Sequence, residues 1–340
     1  MKIGIIGDIH FSEYSSILRG RGGKYSHRLE NCITSINWAE YTTSKCDQVV
    51  YLGDFFDKPS LNAEEITALN EIAWNDNPHR FLVGNHEMGI NSLIFSSAHI
   101  FEINEATSVI EKPYLSETYA GPPDELEICY LPYTLEENRE PLDKLFPPKH
   151  GKRIIFSHND IAGIQMGQFI SKTGYSIEEI EENCDLFFNG HLHNGMPVTD
   201  KIINVGNLTG QNFSEDGFRY SHNIMILDTV TMDYEVIRNP YAINFYKIDN
   251  LSDLYQVENA VVTVKVGQDQ VEEAKKLLEN NNIIASRMLV NYYASKDKEQ
   301  LSVDDLAVDH REEFKKFIYD KLEGEVDLDL LAEEVGCIYE

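Results

Sequence analysis

The chain has 340 residues, 42% of them hydrophobic, and can bury one large core and a smaller second one. Its 29 basic and 57 acidic residues give a net charge of −28, which argues against a protein that binds DNA on its own. Five scattered cysteines fit a reducing compartment, and neither a secretion leader nor an apolar run of membrane-spanning length is visible. We therefore expect a cytoplasmic protein without a membrane segment.

The first third of the chain alternates strand-like and helix-like segments. Residues 2–6 and 49–52 are apolar runs typical of buried strands, whereas residues 29–44 and 63–74 show the apolar spacing of amphipathic helices. Because helices packed on the faces of a sheet produce this alternation, the pattern predicts a layered α/β fold.

Seven side chains that can bind a metal ion follow short apolar runs, in five clusters. In each cluster a small or turn-forming residue and then a ligand follow the predicted strand. The carboxyl ends of strands in α/β sheets meet at one edge, so ligands far apart in sequence can converge there. The seven are Asp8, His10, Asp54, Asn85, His158, His191 and His193.

The chemistry of these side chains favours two divalent ions about 3.5–4 Å apart, the spacing used for phosphate ester cleavage. The carboxylate of Asp54 could bridge both ions. Imidazoles and an amide mixed with carboxylates suit manganese, iron or zinc better than magnesium or calcium. No cysteine lies in any cluster, which argues against a structural zinc site.

Residues 19–28 form the only clearly basic segment of this acidic chain. Such a loop after the first cluster could reach over the metal site and hold a phosphate backbone, or it could be a solvated glycine-rich loop. Its candidate substrate-binding residues are Arg19, Arg21, Lys24, His27 and Arg28.

After the last cluster the pattern changes to that of antiparallel strands completing a sandwich, over residues 201–205, 223–227 and 234–237. Asn239-Pro240 marks a domain exit, and a strand–helix–strand unit follows it. The tail is acidic and has helical apolar spacing. The predicted domains are residues 1–240, a small α+β cap over residues 241–298, and an acidic helical segment over residues 299–340.

The clusters resemble the complete motif set of the calcineurin-like metallophosphoesterases. The likeness lies in Asp8-Ile9-His10, Gly53-Asp54-Phe55-Phe56-Asp57, Gly84-Asn85-His86-Glu87, His158 and Gly190-His191-Leu192-His193. It implies a four-layer β-sandwich flanked by helices. It also implies one ion held by Asp8, His10, Asp54 and His193, and another held by Asp54, Asn85, His158 and His191.

The resemblance assigns roles to two further residues. His86 adjoins a ligand without being one in the family pattern, and is the candidate general acid. Asp57 could accept a hydrogen bond from His86 and keep its imidazole charged and oriented, as a carboxylate does in a triad. The alternative for Asp57 is a turn-capping role.

Within this family the likeness is to the bacterial SbcD-type nuclease subunit and its phage counterparts. It rests on Gly-Asp-Phe-Phe-Asp, on NVGNLTGQNFSE at residues 204–215, and on NPYAINFYKID at residues 239–249. Asn207 and Glu87 depart from the usual residues at positions that bind no metal. The resemblance implies a 3′-to-5′ exonuclease and single-strand endonuclease of double-strand-break repair or recombination, with two Mn²⁺ ions as the expected cofactors.

The implied partners are DNA, an SMC-like coiled-coil ATPase of the SbcC type and a second copy of the chain, in the host cytoplasm if a phage encodes the protein. Two alternatives stay open. A phosphatase or phosphodiesterase acting on small phosphoesters suits the acidity but leaves the C-terminal third unexplained. A non-catalytic scaffold has no need of the intact ligand set with His86.

Overall fold

The computed structural model describes residues 1–291 except residues 16, 19, 22, 104–105, 117–124, 167–168 and 280–281. Strands and helices are numbered in chain order. The first part contains β1 (Lys2–Ile6), α1 (His27–Thr43), β2 (Gln48–Tyr51), α2 (Ala63–Leu69), β3 (His79–Leu82), β4 (Met88–Gly89), β5 (Ser92–Ser96), β6 (Thr107–Ile110) and β7 (Tyr114–Leu115).

The second part contains β8 (Leu126–Leu131), α3 (Leu142–Leu145), β9 (Lys152–Ser157), β10 (Ile161–Ala162), β11 (Gln165–Met166), β12 (Phe169–Ile170), β13 (Tyr175–Ser176), α4 (Ile177–Asn183), β14 (Leu186–Asn189), β15 (Met196–Pro197), β16 (Ile202–Asn204), β17 (Asn223–Asp228), β18 (Asp233–Arg238), β19 (Asn244–Ile248), β20 (Ala260–Gly267), α5 (Val271–Leu278) and β21 (Ile283–Asn291). Short 3₁₀ helices cover Ser97–Ile103, Glu136–Asn138, Leu251–Tyr255 and Gln268–Gln270.

Two six-stranded sheets form the centre of the fold. The first sheet has the order β18-β17-β1-β2-β3-β6, and the second has the order β15-β16-β14-β9-β8-β7. Strands β1, β2, β3 and β6 run parallel, as do β8, β9, β14 and β16. Consequently the carboxyl ends of four strands in each sheet lie along one edge of that sheet.

Three apolar clusters show how the layers pack. The sheets face each other through alkyl and aromatic side chains such as Ile5 and Phe156. The outer face of the first sheet packs on α1 through residues such as Ile36, and the outer face of the second packs on α4 through Ile180. The predicted four-layer α/β sandwich is thereby confirmed.

The helix ends agree more closely with local capping residues than with the apolar spacing of the sequence. Ser26 caps α1 by accepting a hydrogen bond from the Leu29 main-chain N–H, and Asn62 and Glu65 form a capping box at α2. Helix α2 ends at Leu69, so its predicted extension to residue 74 is wrong. Trp74 lies in a loop and packs against Phe101 and the first core cluster, so an apolar residue is partly buried at this position without being part of the helix.

A third sheet of three parallel strands, β19-β20-β21, follows the sandwich strands. Helix α5 and the 3₁₀ helix at Leu251–Tyr255 pack with this sheet around residues such as Val262 and Leu254. The strand–helix–strand unit therefore forms as expected, with β21 beginning five residues before the predicted start at residue 288. The predicted tail helices lie outside the described residues, and the domain boundaries stay predictions. None of the described helices is long and apolar enough to cross a membrane.

Candidate metal centre

The seven predicted metal ligands come from the ends of five parallel strands, three in the first sheet and two in the second. Strands β1, β2 and β3 precede Asp8 and His10, Asp54, and Asn85, whereas β9 and β14 precede His158 and the two later histidines. Two groups of predicted ligands gather at this edge, each with its atoms within 4.8 Å: Asp8, His10 and His193, and Asp54, His158 and His191. A third group with the same spacing, His10, Asp54 and His86, overlaps both of them.

Asp54 lies between the two groups. Its Oδ2 atom is 3.1 Å from Nε2 of His158 and 3.8 Å from Nε2 of His10. Asn85 completes the second group, since its Oδ1 atom lies 3.2 Å from Nε2 of His158 and 3.0 Å from Nδ1 of His191. One carboxylate is therefore placed to serve two metal positions.

The donor atoms fit divalent cations. Asp8 is fully buried, and no described residue donates a hydrogen bond to its Oδ2 atom. Nε2 of His10 faces Nε2 of His193 at 3.1 Å, so two imidazole nitrogens meet without a carbonyl or carboxylate between them. An unpartnered buried carboxylate oxygen is costly unless a cation or donor satisfies it, and these atoms together offer a cation its ligands.

The negative charge of the cluster also fits divalent cations. Burial lowers the pKa of His158, but the carboxylates of Asp54 and Asp8 outweigh it and raise that pKa to about 9. Without metal ions, these carboxylates therefore favour an imidazolium at His158. A bound divalent ion would supply the positive charge and leave the imidazole neutral, as a ligand must be.

In each of the four predicted ligand histidines, the ring nitrogen that points away from the ligand cluster has a hydrogen-bonding partner. Such contacts fix the tautomer and the ring orientation, and leave the other nitrogen for a metal ion. The partners are Asp57 for His10 Nδ1 at 3.1 Å, the Leu52 carbonyl for His158 Nδ1 at 2.8 Å, Asp160 for His191 Nε2 at 3.2 Å and Glu215 for His193 Nδ1 at 3.0 Å.

Asp160 and Glu215 were missed as site residues in the sequence. Glu215 is buried and also accepts hydrogen bonds from Asn207 Nδ2 at 3.1 Å and from the Gln211 main-chain N–H at 2.9 Å. Asn207 Oδ1 in turn accepts from His222 Nδ1 at 2.7 Å. In the sequence, Asp160 was signalled only by its position just after a ligand motif, in Ser-His-Asn-Asp, and Glu215 only by its place at the end of the SbcD-like segment of residues 204–215.

Strained turns aim several of the ligands. His10, Asp54 and His191 have positive φ values of 49°, 46° and 68°, which non-glycine residues seldom adopt. Gly53 precedes Asp54 with φ 105°, and a Cβ atom there would lie 2.5 Å from Nδ1 of His158. Glycine is therefore required at residue 53 by both the backbone and the packed imidazole.

His86 lies at the open side of the cluster, with 45% of its side chain exposed. Its main-chain N–H donates to Asp54 Oδ1 at 2.8 Å, and its Nδ1 lies 3.5 Å from Asp57 Oδ1. The hydrogen bond with Asp57 raises the pKa of His86 to about 9. Asp57 thus contacts His86 as expected, but its shorter contact is with the metal-ligand candidate His10.

The basic segment has its described cations engaged within the protein. Arg21 pairs with Glu64, and Lys24 pairs with Glu71. Arg28 is 4% exposed, and its guanidinium donates to the carbonyls of Gly210 at 2.8 Å, Ile9 at 2.7 Å and His10 at 3.3 Å.

The prediction that Arg28 contacts substrate is therefore wrong, because its buried guanidinium is held by main-chain carbonyls. His27 is half-buried at the start of α1, where its main-chain N–H donates to the Gly20 carbonyl. Arg19 lies outside the described residues.

The family model of the calcineurin-like phosphoesterases matches residues 1–195 of this chain. No curated protein matches it. A solved structure of an archaeal phosphodiesterase is 17% identical, with a TM-score of 0.35, and the match covers 70% of this chain and 99% of that one. The protein TT1561 of Thermus thermophilus is 10% identical, with a TM-score of 0.41, over 70% of this chain and 98% of that one.

The calcineurin-like phosphoesterase YfkN from Bacillus subtilis is 11% identical, with a TM-score of 0.37, over 70% of this chain and 88% of that one. At these identities and TM-scores, it is the family match over residues 1–195 that bears on the chemistry.

Proposed function

The chain belongs to the calcineurin-like phosphoesterase family, and from this membership we propose that it is a two-metal phosphodiesterase acting on DNA as an SbcD-like nuclease subunit. The observation that carries the proposal is the position of Asp54, whose Oδ2 atom lies near histidines of both ligand groups. A carboxylate shared by two metal positions suits the in-line displacement at phosphorus that two-metal sites catalyse.

Asp8, His10, Asp54 and His193 would hold one ion, and Asp54, Asn85, His158 and His191 the other. When bound, two divalent ions lower the pKa of a water nucleophile and neutralise charge building on the phosphoryl oxygens. Mn²⁺ is the proposed metal, since the mixed nitrogen and oxygen donors suit it.

His86 donates the proton that the leaving oxygen needs. Its exposure lets it reach a bound phosphodiester, and Nδ1 faces Asp57, which leaves Nε2 for the leaving group. Asp57 contacts both His86 and His10, so it positions the proton donor relative to the ligands. Removing a positioned general acid typically lowers turnover by about 10²–10⁴-fold.

The proposed substrate is DNA, which the protein would cleave as a 3′-to-5′ exonuclease and a single-strand endonuclease. Its support is the SbcD-like character of residues 204–215 and of the segment leading into the third sheet. Because the chain carries a net charge of −28, an SMC-like coiled-coil ATPase is the proposed partner that supplies the grip on DNA. A homodimer in the cytoplasm is part of the same proposal.

A second candidate function is hydrolysis of small phosphodiesters without any DNA partner. It is favoured by the pairing of Arg21 and Lys24 with glutamates, since cations engaged in this way are less available to a phosphate backbone. A small substrate requires contacts only near the metal ions.

The test is a comparison of substrates for the purified full-length protein with Mn²⁺. We expect hydrolysis of bis-p-nitrophenyl phosphate, and cleavage of linear DNA that increases when an SMC-like ATPase is added. His86→Gln protein prepared in parallel controls for contaminating nucleases. If the small ester is hydrolysed efficiently while DNA stays uncleaved, even with the ATPase present, the nuclease proposal fails and the second candidate function takes its place.

A further inference from the structure

A cavity of about 370 Å³ lies at the same edge of the sandwich as the metal ligands. Three of its walls follow the carboxyl ends of strands: Met88 follows β3, residues 111–113 follow β6, and residues 133–135 follow β8. In the first sheet β6 is the neighbour of β3, and in the second β8 is the neighbour of β9. The cavity therefore continues the row of ligand loops by one strand in each sheet.

Tyr133 belongs to both the cavity wall and the surroundings of the ligands. Its ring centroid lies 5.9 Å from that of His191 and 6.4 Å from that of His158. Its main-chain N–H donates to the Val83 carbonyl, and the next N–H, of Thr134, donates to Asn159 Oδ1 at 2.9 Å. The aromatic wall is thus tied to the loops that carry Asn85 and His158, and the cavity is preformed beside them.

Part of the turn between β4 and β5 also lines the cavity. Ile90 and Asn91 connect β4 and β5 with φ values of 47° and 54°. Ile90 is β-branched and 84% exposed, so no burial of its side chain offsets the strain of its backbone. Strain of this kind persists where the surroundings hold it, often at functional sites. Here the turn places Asn91 and Ser92 on the cavity wall, shortly after Met88.

The lining is suited to an uncharged planar group. Asn91, Ser92 and Asn138 offer neutral donors and acceptors, and Leu93 and Leu145 offer apolar surface next to the ring of Tyr133. The charged members are two glutamates and one lysine, a balance that disfavours a second phosphate. Side-chain amides match the edges of nucleobases, and an aromatic ring stacks on any of their faces.

We propose that this cavity is a nucleobase subsite, which holds the base of a nucleotide joined to the scissile phosphate. The inference rests on the proposed phosphodiesterase function and names the substrate class for that site. A cavity of this volume lies within the range of roughly 300–1,000 Å³ that small-molecule sites occupy. The scissile phosphate would lie at the metal ligands and the base in the cavity. The cavity would therefore discriminate nucleoside esters from simple alkyl esters.

The experiment compares two substrates with the same leaving group: the p-nitrophenyl ester of thymidine 5′-monophosphate and methyl p-nitrophenyl phosphate. We expect the wild-type protein with Mn²⁺ to favour the nucleoside ester in kcat/KM by about tenfold, given the usual contribution of base stacking. Tyr133→Leu removes the ring, and Asn138→Trp fills the cavity from an exposed 3₁₀ helix. Both should lower this preference at least about fivefold.

Gln256→Trp, an exposed substitution near the third sheet, is the matched control and should keep the wild-type preference. Equal kcat/KM values for the two esters in the wild type, or an equal loss for both esters in the two cavity variants, overturns the subsite. If neither ester is hydrolysed, the proposed function fails, and calorimetric binding decides about the cavity. Thymidine monophosphate must then bind more tightly than inorganic phosphate in the wild type but not in Asn138→Trp; equal binding overturns the proposal.

Discussion

Residues 8–10 and the basic segment at residues 19–28 belong to one stretch of chain from β1 to the start of α1, yet their charged groups are held in opposite ways. Asp8 and His10 are buried; no described residue donates a hydrogen bond to Asp8 Oδ2, and Nε2 of His10 faces Nε2 of His193 at 3.1 Å. Arg21 and Lys24 are more than half exposed, and each pairs with a glutamate.

In the proposed function, this difference separates the metal site from the binding of DNA. Buried ligands with unpartnered atoms require a cation, since an unsatisfied carboxylate is costly in a protein interior. Exposed cations that already pair with carboxylates require no further anion. The chain itself therefore supplies residues that fit a metal site, whereas the proposed binding of DNA would need either rearranged ion pairs or a partner. The following substitutions test the two halves of this comparison, from the largest expected effect to the smallest.

Asp54→Ala is expected to have the largest effect, because the carboxylate lies between both groups of ligands. Phosphodiesterase activity should fall further than the roughly 10²–10⁴-fold of a lost general acid. Metal content by atomic emission should fall from two Mn²⁺ ions per chain to less than one. Asp249→Ala removes an exposed carboxylate that is not among the predicted ligands and serves as the control. Retention of two bound ions in Asp54→Ala would contradict the bridging role.

His86→Ala should lower turnover by about 10²–10⁴-fold while both ions stay bound, since the proposed role of His86 is to donate a proton without holding metal. The loss should depend on the leaving group. An ester of p-nitrophenol, which leaves readily as an anion, should lose less activity than an ester with an alcohol leaving group. His150→Ala, at an exposed histidine that is not among the predicted ligands, is the control. Equal losses for both esters, or loss of a metal ion, would show that His86 acts structurally.

Sequence patterns singled out seven side chains that the structure brings to one edge, because these residues follow buried strands, and a strand end followed by a turn is a local feature. Contacts between distant side chains were not predictable in this way. His191 meets Asp160 across 31 residues, and His193 meets Glu215 across 22. Arg28 was misassigned since charge in a sequence does not tell whether main-chain carbonyls will surround it.

Glu215→Gln should weaken metal binding at the group of Asp8, His10 and His193 by about 10–100-fold, the usual effect of changing the partner of a ligand histidine. The amide cannot accept with both atoms, so either His193 or the Gln211 N–H loses its acceptor. Manganese titration followed by electron paramagnetic resonance should show one weakened site and one unchanged site. Glu258→Gln, an exposed glutamate, is the control. Equal weakening of both sites would indicate a general loss of structure.

The smallest effect is expected when the cations of the basic segment are released. The double substitution of Glu64 and Glu71 by glutamine frees Arg21 and Lys24 from exposed ion pairs, which contribute little to stability because solvent screens them. If these cations then reach a phosphate backbone, affinity for a duplex oligonucleotide should rise about two- to fivefold. The salt dependence should steepen by up to about 1.8 in logarithmic slope.

The matched control substitutes Glu258 and Glu272 by glutamine, which changes the net charge equally and frees Arg238 and Lys275 elsewhere. Fluorescence anisotropy across a salt series measures both pairs of variants. If the control raises DNA affinity as much, the net charge of −28 limits DNA binding wherever the freed cations lie. If only the Glu64 and Glu71 variant gains DNA affinity, the basic segment is a contact surface for DNA that its own ion pairs block. A partner would then need only to break those pairs.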